Sequence, residues 1–193
     1  MPRLVDSWFQ GLHGLDRLHA FFDRAEDPWD RIHLPCPPRS FGSGSTRSFA
    51  DYFHGASQVT TRTLEEVCSW LRSCQCRSDH EIFQKEDVWQ HPVSFEQVRV
   101  GDCEDHALWA WRKLAEIRIP ARFTAGRWGH TPHAWILLDL PEGIRLLETT
   151  AKGPFMIHPL SPAVRSTYCP ALSIDHSLHT YVHAGYRHFH HRP

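Results

Sequence analysis

No stretch of this 193-residue chain is continuously apolar for the length that a spanning helix needs. The N-terminal MPRLVDSWFQGLHGLDRLHAFF lacks the apolar core and small-residue cleavage site of a signal peptide. Neither membrane insertion nor export is therefore expected. An excess of charge of one sign is missing too: 21 Lys plus Arg stand against 22 Asp plus Glu, a formal net charge of −1. Such a balance sets up no field for a polyanion or an anionic bilayer, so nucleic acid and membrane are excluded as expected partners. Internal repeats are absent as well. The six cysteines (Cys36, Cys68, Cys74, Cys76, Cys103 and Cys169) follow no spacing of a disulfide framework. At 41% hydrophobic residues the chain is large enough to bury a core without staples, so free thiols and a reducing, cytoplasmic location are expected. Cys74-x-Cys76 has no second Cys or His pair at a zinc-ligand spacing, and no metal or cofactor is expected.

What the chain has in quantity is histidine, 16 in all. His176, His179, His183, His188, His190 and His191 gather near the C-terminus, where they read as a surface tract; a histidine-rich metal site is the rival reading. Leu12, Leu15, Leu18 and Phe22 fall at roughly helical spacing, and PCPPRSFGSGSTRS (35–48) concentrates proline, glycine and serine. Residues 1–58 are read as an N-terminal appendage and linker, and 59–193 as the main domain. Thr63-Leu64-Glu65-Glu66 has the form of a capping box opening a helix that ends near 76. Residues 79–100 read as irregular. A second helix is expected from about Cys103 to Ile117, stopped by Pro120. ARFTAGRW, HAWILLDL and IRLLETT then read as strands, with a turn at Pro141-Glu142-Gly143. The result is an α+β fold, a helix followed by an antiparallel sheet, with an irregular tail after 151.

Asp102-Cys103-Glu104-Asp105 opens the second helix. Asp102 is a good N-cap, and Asp105 stands where a capping-box carboxylate belongs. Cys103 is thereby placed on the first turn, near unpaired amides and the positive end of the dipole, which lowers a thiol pKa. Three neighbouring carboxylates oppose a negative sulfur, so a thiolate here needs a histidine beside it. His133 opens the strand HAWILLDL and can face a helix packed on the sheet; His130 lies in a turn and is the weaker candidate. Asp139 is six residues along the same strand, about 20 Å away at roughly 3.3 Å per residue. Glu148, on the returning strand, counts back to near residue 136 and is the better acid to orient His133. Trp89 and Gln90 each carry a side-chain N–H suited to an oxyanion, or to a cleft wall.

Five segments in order resemble the transglutaminase-like superfamily, including its bacterial cysteine-peptidase branch. They are Asp87-Val88-Trp89-Gln90-His91-Pro92, Gly101-Asp102-Cys103-Glu104-Asp105, Ile119-Pro120-Ala121-Arg122-Phe123, His133-Ala134-Trp135 and Leu147-Glu148-Thr149-Thr150. The resemblance covers roughly residues 60–150. It implies a papain/transglutaminase-like core, a Cys103–His133–Glu148 triad, and acyl transfer through a thioester. Two positions depart from the family pattern. Glu148 stands where aspartate, commonly followed by proline, is usual. Glu104 follows the cysteine where cross-linking transglutaminases typically carry tryptophan, which favours hydrolysis of a peptide, isopeptide or other amide bond in a peptide or protein substrate. Amine transfer onto glutamine is the alternative reaction, and a non-catalytic binding module on the same fold is the alternative of another class.

Overall fold

The computed structural model describes residues 29–186. The expected N-terminal helical stretch and His188, His190 and His191 lie outside them. Among the described residues no helix is long and apolar enough to cross a membrane.

Thr63 opens the first helix, α1 (Leu64–Arg72), its side-chain oxygen accepting the Glu66 N–H at 3.2 Å. The helix stops short of the expected residue 76 because the chain turns at Ser73 into a two-residue strand, β2 (Gln75–Cys76). The segment 79–100, expected to be irregular, holds two short helices: α2 (Asp79–Phe83), opened by a full capping box at Ser78, and α3 (Pro92–Val98), with Pro92 on its first turn. Proline there marks a helix start, because the N–H it lacks would have had no partner. Strand β3 (Val100–Gly101) pairs in parallel with β2 and delivers the chain to α4 (Cys103–Glu116).

Seven further strands form one antiparallel sheet: β1 (Arg31–His33), β4 (Ala121–Trp128), β5 (Thr131–Leu140), β6 (Gly143–Leu147), β7 (Ile157–Pro159), β8 (Tyr168–Asp175) and β9 (Thr180–His183), in the order β1-β9-β8-β4-β5-β6-β7. On one face, Phe123, Ala125, Ile136, Leu138, Leu147, Leu172 and Ile174 pack against α4. On the other, Trp135, Leu137 and Leu146 are covered by Trp29, Tyr168 and Val164, the last from α5 (Pro162–Thr167). Cover on both faces explains why HAWILLDL is a nearly continuous apolar run rather than an alternating one.

Two expectations are corrected here. The tail after 151 is not irregular cover, because β8 lies at the centre of the sheet, hydrogen-bonded to β4 from Arg122↔Asp175 to Trp128↔Tyr168. The stretch 35–48 is not an extended linker: Phe41, followed by Phe49 and Tyr52, is buried in the main core, with the Phe41 and Phe49 rings 4.7 Å apart. Each such burial contributes about 1.5–3 kcal/mol. Arg112 and Lys113 of α4 bind this region further, Arg112 donating to the carbonyls of His54 (2.7 Å) and Gly55 (2.6 Å) and Lys113 to Ser57. Proline and glycine in 35–48 set turns around aromatic anchors, and composition alone does not register that.

Candidate active site

Gly101 sets the approach to the cysteine. A Cβ at this position would fall on the Asp105 carboxylate and lie 2.8 Å from Gln90 Nε2, so the backbone there admits only glycine. Asp102 is the extended N-cap residue of α4, without a side-chain cap bond. Asp105 does not complete the expected capping box. Its Oδ1 accepts the Gln90 backbone N–H at 2.8 Å and its Oδ2 accepts from the Gln90 side chain, which also donates to Val100 O at 2.9 Å. Cys103 begins the helix, part-buried. Its S–H donates to Glu104 Oε2 at 3.3 Å, and the backbone amide of Ala134, the residue after His133, is near enough to favour the thiolate slightly. Burial first, then the charges of Glu104 and Asp102, push this thiol well above its ordinary pKa. The opposition of neighbouring carboxylates expected from sequence is thus present.

His133 lies opposite Gly126 on β4, and its ring sits 6.1 Å from Trp135 and 6.2 Å from Tyr168. Its Nε2 is 2.7 Å from Glu148 Oε2, and the two side chains are 12% and 11% exposed. The ladder ends at Ile136↔Leu147, so Glu148 is the first residue beyond β6 and reaches back diagonally to His133. That is one register place nearer than the count from the turn. Four donors in all meet this carboxylate. Tyr168 donates its hydroxyl to Oε2 at 3.0 Å; Thr150 donates its N–H (3.0 Å) and hydroxyl (2.6 Å) to Oε1. Burial alone would raise the Glu148 pKa, but the His133 and Thr150 bonds and the His133 charge overcome it and hold the group at about 2. The following loop is anchored by Lys152, which donates to Leu71 O at 2.9 Å. His130, the weaker candidate, stays in the β4–β5 turn, where its carbonyl accepts from Arg127. Asp139 pairs with Arg122 at 2.8 Å.

A cluster of carboxylates lies against the cysteine. Oxygens of Asp79, Asp102 and Asp105 converge within 4.8 Å, as do those of Asp79, Asp87 and Glu104. Burial raises Asp79 to about 6 and Asp105 to about 8, and burial with the neighbouring acids carries Glu104 well above the carboxylate range. Oδ1 of Asp79 and Oδ1 of Asp102 are buried without a hydrogen-bond partner. Buried oxygens that lack partners, in an oxygen-only donor set, are what a hard divalent cation such as calcium uses, and the residues fit one. Asp87 is the exception, since Ser43, the Gly44 N–H and the Trp89 indole already donate to it. Among the described residues the C-terminal histidines make no comparable group: His176 bonds Trp111 O and His183 bonds Ser173, both at 2.9 Å.

Trp89 and Gln90 thus spend their N–H groups on Asp87, Asp105 and Val100 O, not on a place for an oxyanion. Sequence reading missed Tyr168, which lay in the supposed irregular tail, and Asp79, which reads as an ordinary first-turn acid. It also missed the Ala134 amide, since a backbone donor leaves no mark in a sequence.

No protein-family model and no curated protein matches the chain. Among solved structures it is similar to Legionella pneumophila LapG. The calcium-bound structure aligns with a TM-score of 0.50 at 18% identity, over 89% of this chain and 88% of that one. The EGTA-treated structure aligns at 0.46 and 18%, over 83% and 81%. The α+β fold is thus the transglutaminase-like, papain-type fold of LapG.

Proposed function

We propose that this chain is a cysteine-dependent acyl-transfer enzyme that hydrolyses a peptide, isopeptide or other amide bond in a peptide or protein substrate. The observation that carries this reading is the His133–Glu148 contact at 2.7 Å, with Cys103 on the first turn of α4. With Nε2 turned to Glu148, Nδ1 is the nitrogen that takes the thiol proton. The sulfur then attacks the substrate carbonyl, and an amide of the first turn of α4 receives the developing oxyanion. His133 returns the proton to the leaving amine, which departs and leaves a thioester on Cys103. Water, deprotonated by His133, releases the acid and restores the thiol. Glu148 holds the ring throughout and stabilises its charged form. Six free thiols accord with a reducing, cytoplasmic setting as part of the same reading.

The acid cluster adds a cation to this reading, unlike the expectation of no metal, since one of the LapG structures is titled calcium-bound. Asp79, Asp102, Glu104 and Asp105 are the residues that would hold it. Bound calcium supplies positive charge against the carboxylates that raise the Cys103 thiol.

Iodoacetamide labelling followed by mass spectrometry tests the proposal. With calcium present to offset the carboxylates that raise its thiol, Cys103 is expected to be alkylated ahead of the exposed Cys76, and His133→Ala to remove that advantage. An activity-based thiol probe with a peptide and isopeptide screen then reads turnover, which Cys103→Ala abolishes. Labelling of Cys103 no faster than of Cys76, with no turnover, sinks the reading.

A further inference from the structure

β4 is buried from Ala121 to Gly126 and then ends on a tryptophan that is 52% exposed. Residues opposite one another in an antiparallel pair project to the same face. His133 lies opposite Gly126, and Trp128, two residues further along β4, lies opposite Tyr168. Trp128, His133 and Tyr168 therefore share a face of the sheet. The Trp128 ring is 6.1 Å from the His133 ring and 6.5 Å from the Tyr168 ring. The hairpin that carries it is held in place: the Gly129 N–H donates to Thr167 O at 2.7 Å and Arg127 donates to His130 O at 3.1 Å. A large apolar ring kept in water on a pinned turn, beside the histidine, is a contact surface already organised for binding.

The chemistry of the reaction says which part of the substrate it meets. Cys103 holds the acyl side, whereas His133 delivers its proton to the amine that leaves. We infer that Trp128 is a specificity-determining residue of the leaving-group side, taking an apolar or aromatic side chain on the residue whose amine departs. This inference rests on the acyl-transfer reading of the site.

The reverse of the leaving step tests it without the natural substrate. p-Nitrophenyl acetate acylates Cys103 as the thiolate displaces p-nitrophenolate. The acetyl-enzyme then partitions between water and an added amine: the C–S bond breaks, a C–N bond forms, and the amine proton passes to His133 and on to the released thiolate. The amine occupies the leaving-group side. The readout is the ratio of acetyl transfer to phenylalaninamide over glycinamide, which cancels any change in acylation rate. Trp128→Ala is expected to lower this ratio roughly five- to tenfold, in line with the loss of one aromatic contact, and Trp128→Phe to keep part of it. Leu178→Ala, an exposed apolar change beyond the opposite end of β8, is expected to leave it unaltered. A Cys103-dependent burst with a ratio equal in wild type and Trp128→Ala overturns the inference and spares the acyl-transfer reading. No burst that Cys103→Ala removes overturns both.

Discussion

Glu148 is longer by one methylene than the aspartate that the resemblance leads one to expect there, and the structure uses that length. The residue lies beyond the last rung of β6, and its carboxylate reaches diagonally to His133 while Thr150 and Tyr168 fill the remaining lone pairs. Its pKa of about 2 is depressed below the ordinary 4.5. The associated stability is therefore fully present above about pH 4.5 and is lost as pH falls toward 2. The depression corresponds to up to about 3 kcal/mol. Urea unfolding of wild type and Glu148→Gln is expected to show a gap of that order at pH 7 that closes toward pH 2. A gap independent of pH would mean that the carboxylate charge is not what stabilises the site. Tyr168→Phe removes one donor of four without opening a cavity. On the proposed mechanism it is expected to lower kcat roughly three- to tenfold with KM nearly unchanged, because it loosens the carboxylate that would aim His133.

At the scale of elements, legibility followed how local the cause was. Thr63 capping α1, the start of α4 at Cys103 and the β5–β6 hairpin were all readable, since each depends on residues a few positions apart. Gln90 was misread because its partner, Asp105, is fifteen residues away and looks from sequence like a capping acid. Trp89 lies in the core, as an aromatic wall residue would, and its indole is taken by Asp87. Gly101 joins these parts, since only a residue without Cβ lets the Gln90–Asp105 bond pass across the entry to α4. Gly101→Ala is expected to cost about 1–3 kcal/mol, a fall in Tm of roughly 2–12 °C, and to slow Cys103 alkylation by displacing the first turn of the helix. An unchanged melting curve with unchanged alkylation would show that the crowding is relieved without moving the site.

Across the whole molecule, what sequence could not show was closure over long separations. β8 docks on β4 some fifty residues after it, and Phe41 finds Phe123 across more than eighty, so a proline-rich tail and a glycine-rich leader both turn out to be core. The carboxylate cluster is another such closure: Asp79 from α2 meets Asp102, Glu104 and Asp105 at the start of α4, and like charges brought together from separate segments weaken the fold unless a cation or protons neutralise them. Calcium binding only to the folded arrangement would stabilise it by about 2.7 kcal/mol at a hundredfold excess over its Kd, a rise in Tm of roughly 5–11 °C. That rise is expected on adding calcium to chelator-stripped protein, is expected to be reversed by EGTA, and should be lost in Asp79→Asn, which leaves the residues flanking the cysteine intact. Protons compete for the same oxygens, since Asp79 and Asp105 are raised to about 6 and about 8, so the calcium increment should shrink as pH falls from 8 to 5. A melting temperature indifferent to calcium at pH 8 would leave protons as the neutralising agent, and the cluster would then be a pH-dependent brake on the thiol rather than a metal site.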